Sequence, residues 1–317
     1  MRIGIRAALA VLAMLTFGVL VAACGGSEES SGGGGGGEQE LTGELAIDGS
    51  STVFPFAQAA AEQFMGENPG VRISVGQSGT GGGFEKFCAG ETQISTASRP
   101  IKEDEEVPLC EKGAVTYKEA QVASDGIAVA TNKQLKIDCM TVEQLKQLWE
   151  KGSDVKNFKD VDASFPSQSV SLFGPGTDSG TFEFFTAEVN GEEGNTRKDY
   201  QPSEDDNVLV QGVSGEAGGL GYFGFSYYEA NQDKLNAVGV DAGDGCVTPS
   251  LETIQSGEYK PLSRPLFMYP SDKALKDPAG KAFMDYVVAN HQQIAEAAQI
   301  VPMAAEDAEK TKTTLGA

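Results

Sequence analysis

Three times along this chain a β-prone run ends in a polar, glycine-rich turn that passes directly into a helical pattern. Residues 44–49 lead into Asp48-Gly49-Ser50-Ser51-Thr52-Val53-Phe54-Pro55, residues 71–76 into Gly76-Gln77-Ser78-Gly79-Thr80-Gly81-Gly82-Gly83, and residues 170–174 into Gly174-Pro175-Gly176-Thr177-Asp178-Ser179-Gly180-Thr181-Phe182. After the first turn, Ala57, Ala60, Ala61, Phe64 and Met65 recur at the spacing of one helix face. The second turn opens a helix over residues 84–89. The third opens one over residues 181–189, with Phe182, Phe185 and Val189 on one side. Elsewhere, residues 126–131 form a short β-prone run, and Asp277-Pro278 begins a last helical region. Thr141-Val142-Glu143-Gln144 has capping-box spacing ahead of Leu145, Leu148 and Trp149. Strands alternating with helices predict an α/β fold with mainly parallel strands. In open sheets of this kind, ligands bind beyond the carboxyl ends of strands, which is where the three turns fall.

Each turn alone reads as a well-capped helix start or a flexible loop. Ser and Thr are good N-caps, and Pro55 suits a first helical turn. The same features make an anion site, because the N–H groups at a helix start lack intrahelical partners and glycine lets the backbone approach a ligand. Hydrogen bonds to a charged group contribute about 1.5–3 kcal/mol each, so several together offset the desolvation of a buried oxyanion. A nucleotide P-loop is excluded: Lys86 has no glycine before it and no Ser or Thr after it. A serine nucleophile needs a base, and the single histidine, His291, lies in a late amphipathic segment. No catalytic residue, metal site or cofactor is expected.

The first residues carry a different message. Arg2 and Arg6 precede an apolar run that ends at Val21-Ala22-Ala23-Cys24. A basic start, a short apolar stretch and small residues before a cut describe a secretory signal peptide. The alternative, a membrane-spanning helix, needs about 20 apolar residues, and this run meets glycines at that limit. Small residues stopping at a cysteine resemble the lipobox of bacterial lipoproteins, which implies cleavage before Cys24 and lipidation of its thiol. Residues 24–40, with six consecutive glycines, form a flexible tether. The expected product is a domain leashed to the outer face of the cell membrane.

With 40% hydrophobic residues, the remainder is able to bury a core. The 24 basic and 46 acidic residues give a net charge of −22, and losing Arg2 and Arg6 with the leader makes it −24. Nucleic acid is thereby excluded as a partner, since a basic face is its footprint. An anionic ligand would have to be held by local donors against the overall field. Cys88, Cys110, Cys139 and Cys246 allow three pairings in an exported chain. Cys88–Cys110 with Cys139–Cys246 is favoured, because the first two share a local segment. Zinc is disfavoured by the lack of any CxxC pair.

Asp48-Gly49-Ser50-Ser51-Thr52, Ser78-Gly79-Thr80-Gly81-Gly82-Gly83, Ser98-Arg99-Pro100, Asp178-Ser179-Gly180-Thr181 and Gly219-Leu220-Gly221-Tyr222-Phe223-Gly224 resemble, in order and spacing, the PstS-type phosphate-binding proteins. The resemblance covers about residues 45–270. It implies a two-lobed periplasmic-binding-protein fold of class II type, with the ligand cleft between lobes. One lobe would comprise residues 41–125 plus 262–317 and the other residues 126–261. It also implies a monomer that hands inorganic phosphate to the permease subunits of an ABC transporter. Ser51, Thr52 and Val53 would bind at the first helix start, Ser78 (with Thr80 as rival) at the second, and Ser179, Gly180 and Thr181 at the third.

Two positions depart from the family pattern. Its arginine shortly before Ser-Gly-Thr falls near Pro175 here, and its aspartate after Ala-Ser is replaced by Arg99. Arg99 is therefore expected to supply the cation from the other lobe. A carboxylate that accepts a proton from phosphate would exclude sulfate. Asp125, Asp178 and Asp48 are candidates for it, with Asp125 preferred. Three other functions stay open: a receptor for another tetrahedral oxyanion such as sulfate, an extracellular phosphate-ester hydrolase, and a surface lipoprotein for adhesion or signalling.

Overall fold

The structure, a computed structural model, describes residues 40–177 and 179–316. The leader, Cys24, the tether up to Gln39, and Asp178 lie outside them. The described chain opens with β1 (Gly43–Gly49), α1 (Phe54–Glu67), β2 (Val71–Val75), α2 (Gly79–Cys88), β3 (Ile94–Ala97) and α3 (Glu106–Lys112), and reaches the long strand β4 (Ala120–Asn132). Then come β5 (Cys139–Thr141), α4 (Val142–Trp149), β6 (Ser171–Pro175), α5 (Gly180–Asn190), β7 (Gln201–Ser203), α6 (Asp206–Gly215) and β8 (Gly219–Gly224). After these follow α7 (Phe225–Glu229), β9 (Leu235–Asp241), β10 (Cys246–Val247) and α8 (Leu251–Gln255). β11 (Ser263–Pro270) runs back beside β4, and α9 (Asp272–Lys276), α10 (Pro278–Ala289), α11 (His291–Ala297), β12 (Val301–Pro302) and α12 (Ala305–Leu315) follow.

The main strand order is β2-β1-β3-β11-β4-β8-β6-β7. β1 pairs in parallel with β2 and β3, and β6 with β7 and β8. β11 is antiparallel to β3 and β4, and β4 is antiparallel to β8 and β9. The sheet is thus mixed, where mainly parallel strands were expected. β4 and β11 carry the chain across the molecule in opposite directions, and each meets its neighbours head to tail.

β4 is also twice as long as its β-prone portion. Ala120 to Ser124 lack the aromatic and β-branched residues that favour strands, Val122 excepted, yet they pair with β11 and β12. Small side chains fit there because neighbours crowd the strand on both sides, so tertiary context overrides propensity. The apolar contacts change partners along β4. Val122 and Ala123 pack with Leu45, Ile47, Phe56, Phe64, Leu266 and Phe283. Ile127 and Val129 pack with Leu148, Trp149, Phe185, Tyr222 and Tyr259. In the second cluster Trp149 meets Phe185, Tyr200 and Tyr222 edge-on, and Phe185 stacks on Tyr222 at 3.7 Å. Such pairs add about 0.5–1.5 kcal/mol each beyond area burial.

The capping box expected at Thr141 is present, with Gln144 N–H donating to Thr141 Oγ1 and Thr141 N–H to Gln144 Oε1. α2 starts five residues earlier than its apolar pattern, so the glycine turn is helical. Glycine costs about 1 kcal/mol relative to alanine inside a helix. Close packing offsets the cost at Gly83, where a Cβ would lie 2.4 Å from Gly49 Cα. Cys88 is bonded to Cys110, joining α2 to α3, and Cys139 to Cys246, joining β5 to β10.

Candidate ligand-binding cleft

The three helix starts lie at strand ends, as the turns predicted. Gly49 ends β1, and its φ of +147° with Thr96 O at 2.1 Å from any Cβ leaves room for no side chain. The chain turns there into Ser50, whose carbonyl accepts from Phe54 N–H at 3.0 Å. The N–H groups of Thr52 and Val53 have no partner among the described residues. The start of α5 faces this turn. A Cβ on Gly180 would come 2.6 Å from Thr52 Oγ1, 3.0 Å from Ser51 Oγ and 3.2 Å from Thr52 N. Two helix N-termini therefore meet, each with a partial positive charge. Ser179 caps α5 by accepting Thr181 N–H at 3.2 Å.

A half-buried guanidinium reinforces this positive pole. Arg264, on β11, lies opposite Asp125 of β4 in the antiparallel register. Its Nε donates to Asp125 Oδ2 at 3.2 Å and its Nη2 to Thr52 Oγ1 at 2.8 Å. Its flat face rests on Phe184 of α5, 3.7 Å from the ring centroid. Burial pulls the Arg264 guanidinium below its ordinary value, against the attraction of Asp125. The group remains a cation, since arginine starts far above physiological pH. Arg264 was missed in the sequence. The available signal was its place just beyond Pro261, where the chain crosses back to β11.

A cleft of about 1020 Å³ opens beside these groups, lined by Ser51, Ser78, Thr80, Ser98, Arg99 and Arg264, among others. Ser78 stands at the N-cap position of α2 without a side-chain capping bond, and its hydroxyl donates instead to Asp48, which also accepts Lys86 Nζ at 2.8 Å. Thr80 Oγ1 accepts Ser98 N–H at 3.2 Å. Glu183 lies on the wall opposite, with Ser51 Oγ 3.5 Å from its Oε2. Burial and then Glu193 raise the Glu183 carboxyl above its ordinary value.

Arg99 departs from expectation. It lines the cleft, but Glu106 takes both its Nη groups, at 2.9 and 2.7 Å, and Pro100 O takes a further bond. Both terminal nitrogens thus have partners within its own segment. Asp125 is brought to the site, though as the partner of Arg264. His291 borders a separate cavity with Asp285 and Lys312. Among the described residues, no group of three or more His, Cys, Asp or Glu is placed to hold a metal ion.

A twisted α/β sheet crossed twice by the chain, with helix starts and an arginine converging on a cleft, defines a solute-binding protein of the periplasmic-binding type. The family model of the PBP superfamily domain matches residues 34–291. Protein SphX of Synechococcus elongatus is 42% identical over 274 residues, spanning 84% of this chain and 81% of that protein. Phosphate-binding protein PstS of Staphylococcus saprophyticus is 42% identical over 268 residues, spanning 84% and 82%. The crystal structure of a possible phosphate binding protein from Planctomyces limnophilus aligns with a TM-score of 0.81 at 41% identity, covering 87% of this chain and 98% of that one. The chain belongs to the PBP superfamily and, within it, to the family of the PstS and SphX proteins.

Proposed function

We propose that this protein binds inorganic phosphate outside the cytoplasm and delivers it to the permease of an ABC importer, without catalysis. The observation that carries this reading is the meeting of two helix N-termini at Thr52 and Gly180, beside Arg264. Like-signed poles and a guanidinium in one place call for an anion between them. The donors would be the N–H groups of Thr52 and Val53, the hydroxyls of Thr52 and Ser179, the Gly180–Thr181 helix start, and Arg264, with Ser51 turned to Glu183. The cationic role passes from Arg99 to Arg264, because Arg99 is held by Glu106.

The change of apolar partners near Asp125 supports residues 41–125 plus 262–317 and residues 126–261 as two lobes that close on the ligand. The lipobox supports anchoring of a monomer through lipidated Cys24. Calorimetry on ligand-stripped protein at neutral pH tests the central reading. Tight binding of phosphate is expected, and silence with phosphate would sink it.

A further inference from the structure

The strand that carries the chain across the molecule, β4, has different neighbours on its two edges. At Ala123 and Ser124 it pairs with Leu266 and Pro265 of β11 on one edge and with Pro302 and Val301 of β12 on the other. From β11 the sheet continues through β3 to β1, the strand that leads to Thr52 and the cleft. The cleft and β12 therefore lie on opposite sides of the crossing strand.

α8 reaches β12 on that far side. Gln255 Nε2 donates to Pro302 O at 2.8 Å, 47 residues away in sequence. Next to this bond, Ile254 rests on β4 itself: it is 2% exposed, and a Cβ on Gly126 would come 2.5 Å from its Cδ1. Each partner is anchored in its own half. Ser250 and Thr253 cap α8, and Cys246, just ahead of it, is bonded to Cys139. β12 runs on toward α12, where Thr311 Oγ1 donates to Gln121 O at 2.9 Å. α8 thus belongs with residues 126–261, and α12 with residues 41–125 plus 262–317.

Beyond the bond, a cavity of about 550 Å³ separates Leu251 and Gln255 of α8 from Ala304, Glu306 and Asp307 at the start of α12. Leu251, large and apolar, is left 42% exposed there. Lys310 on the same wall is already held by Glu306 and Asp307, at 3.1 and 3.2 Å. The space is room for α8 to move, not a second anion site. Contacts on opposite sides of one crossing strand behave as the two ends of a lever. On the cleft side α5 already stands close against Thr52; on the far side the gap is open.

We infer that the cavity between α8 and α12 is a conformational control point, which widens as the cleft closes and narrows as it opens, with Ile254 on Gly126 as the pivot. The inference rests on the two-lobe reading and places its control outside the ligand cleft. A bulky side chain in the cavity would hold α8 away from α12 and favour the closed cleft. Apparent affinity is reduced by the fraction of protein that is not in the competent conformation, so a bias toward closure raises it. No residue that touches the ligand is altered.

The test is small-angle scattering of the ligand-stripped protein, with calorimetry against inorganic phosphate, on wild type, Ala304→Trp, Leu251→Trp and Ala304→Ser. Ala304 has extended backbone and makes no side-chain capping bond, so the indole costs α12 no cap. Both tryptophan variants should be more compact than wild type before ligand is added, and should bind phosphate about threefold more tightly or better, through slower release. Ala304→Ser, too small to fill the space, should match wild type. If Ala304→Trp fails to fold, Leu251→Trp decides, because its side chain is exposed. Unchanged compactness and affinity in the tryptophan variants overturn the inference, as does weaker binding by a folded variant. Wild type silent with phosphate would remove the functional reading instead, and scattering would still decide whether the cavity governs closure.

Discussion

Three neighbours fix three parts of Arg264: Asp125 holds Nε, Thr52 holds Nη2, and Phe184 supports the flat face. A planar fork serves such a site better than a point charge. Arg264→Ala is expected to weaken phosphate binding by at least about tenfold, and Arg264→Lys nearly as much, since one ammonium cannot hold both partners and the ligand. Unchanged affinity by calorimetry would refute the assignment. Arg99→Ala should leave affinity close to wild type and lower stability, because Glu106 is buried and loses its partner. A second residue carries a pH dependence. Burial, then Asp205 and Glu204, push the Asp206 carboxyl up from 3.8 to about 7. A carboxyl that holds its proton more tightly when folded stabilises the fold fully below its unfolded value. That contribution is lost as pH rises from 3.8 through about 7. Asp206→Asn should flatten the fall in melting temperature across this window; an unaltered slope would contradict it.

At the scale of elements, two glycines mark where helices approach closely. The Gly180→Ala methyl would fall 2.6 Å from Thr52 Oγ1 and 3.2 Å from Thr52 N, so α5 would have to withdraw from the start of α1. Phosphate affinity should fall, while the melting temperature of the unliganded protein changes little, because Gly180 is only half-buried. Gly83→Ala differs, because its methyl would meet the backbone at Gly49, 2.4 Å away, inside the packed interface of α2 and β1. Overpacking of this kind costs about 1–3 kcal/mol, readable by denaturant titration. The α2 boundary also explains a misreading. Glycine content predicted a loop through Gly83, whereas the close approach to β1 makes glycine the residue that allows the helix.

For the whole molecule, the sequence's net charge of −22 opposes the capture of an anion. Salt screens long-range repulsion but scarcely affects short bonds inside a cleft. The association rate of phosphate should therefore rise with ionic strength, and the dissociation rate should stay nearly constant, in stopped-flow measurements. An association rate that falls with salt would mean that the local field at the cleft mouth is positive enough to dominate. Saturating phosphate should also raise the melting temperature by mass action, and sulfate should not.

Local chemistry was readable from the sequence alone. The strand-to-helix turns at Ser50–Thr52, Ser78 and Ser179, the Thr141 cap and the apolar faces of α1 and α5 depend on neighbours a few residues away, so spacing reveals them. The family resemblance added the cleft and the ligand. What needed the tertiary structure was every feature set by pairing between distant segments. The antiparallel register of β4 with β11 puts Arg264 opposite Asp125, 139 residues apart in sequence. The Glu106 pair, which sequence spacing did not reveal, holds Arg99 at the cleft wall. The Ser78 hydroxyl is tied to Asp48, which β1 brings to the start of α2. Sequence determined which groups could serve an anion; folding decided which remained free to do so, because a charge or a proton can be spent only once.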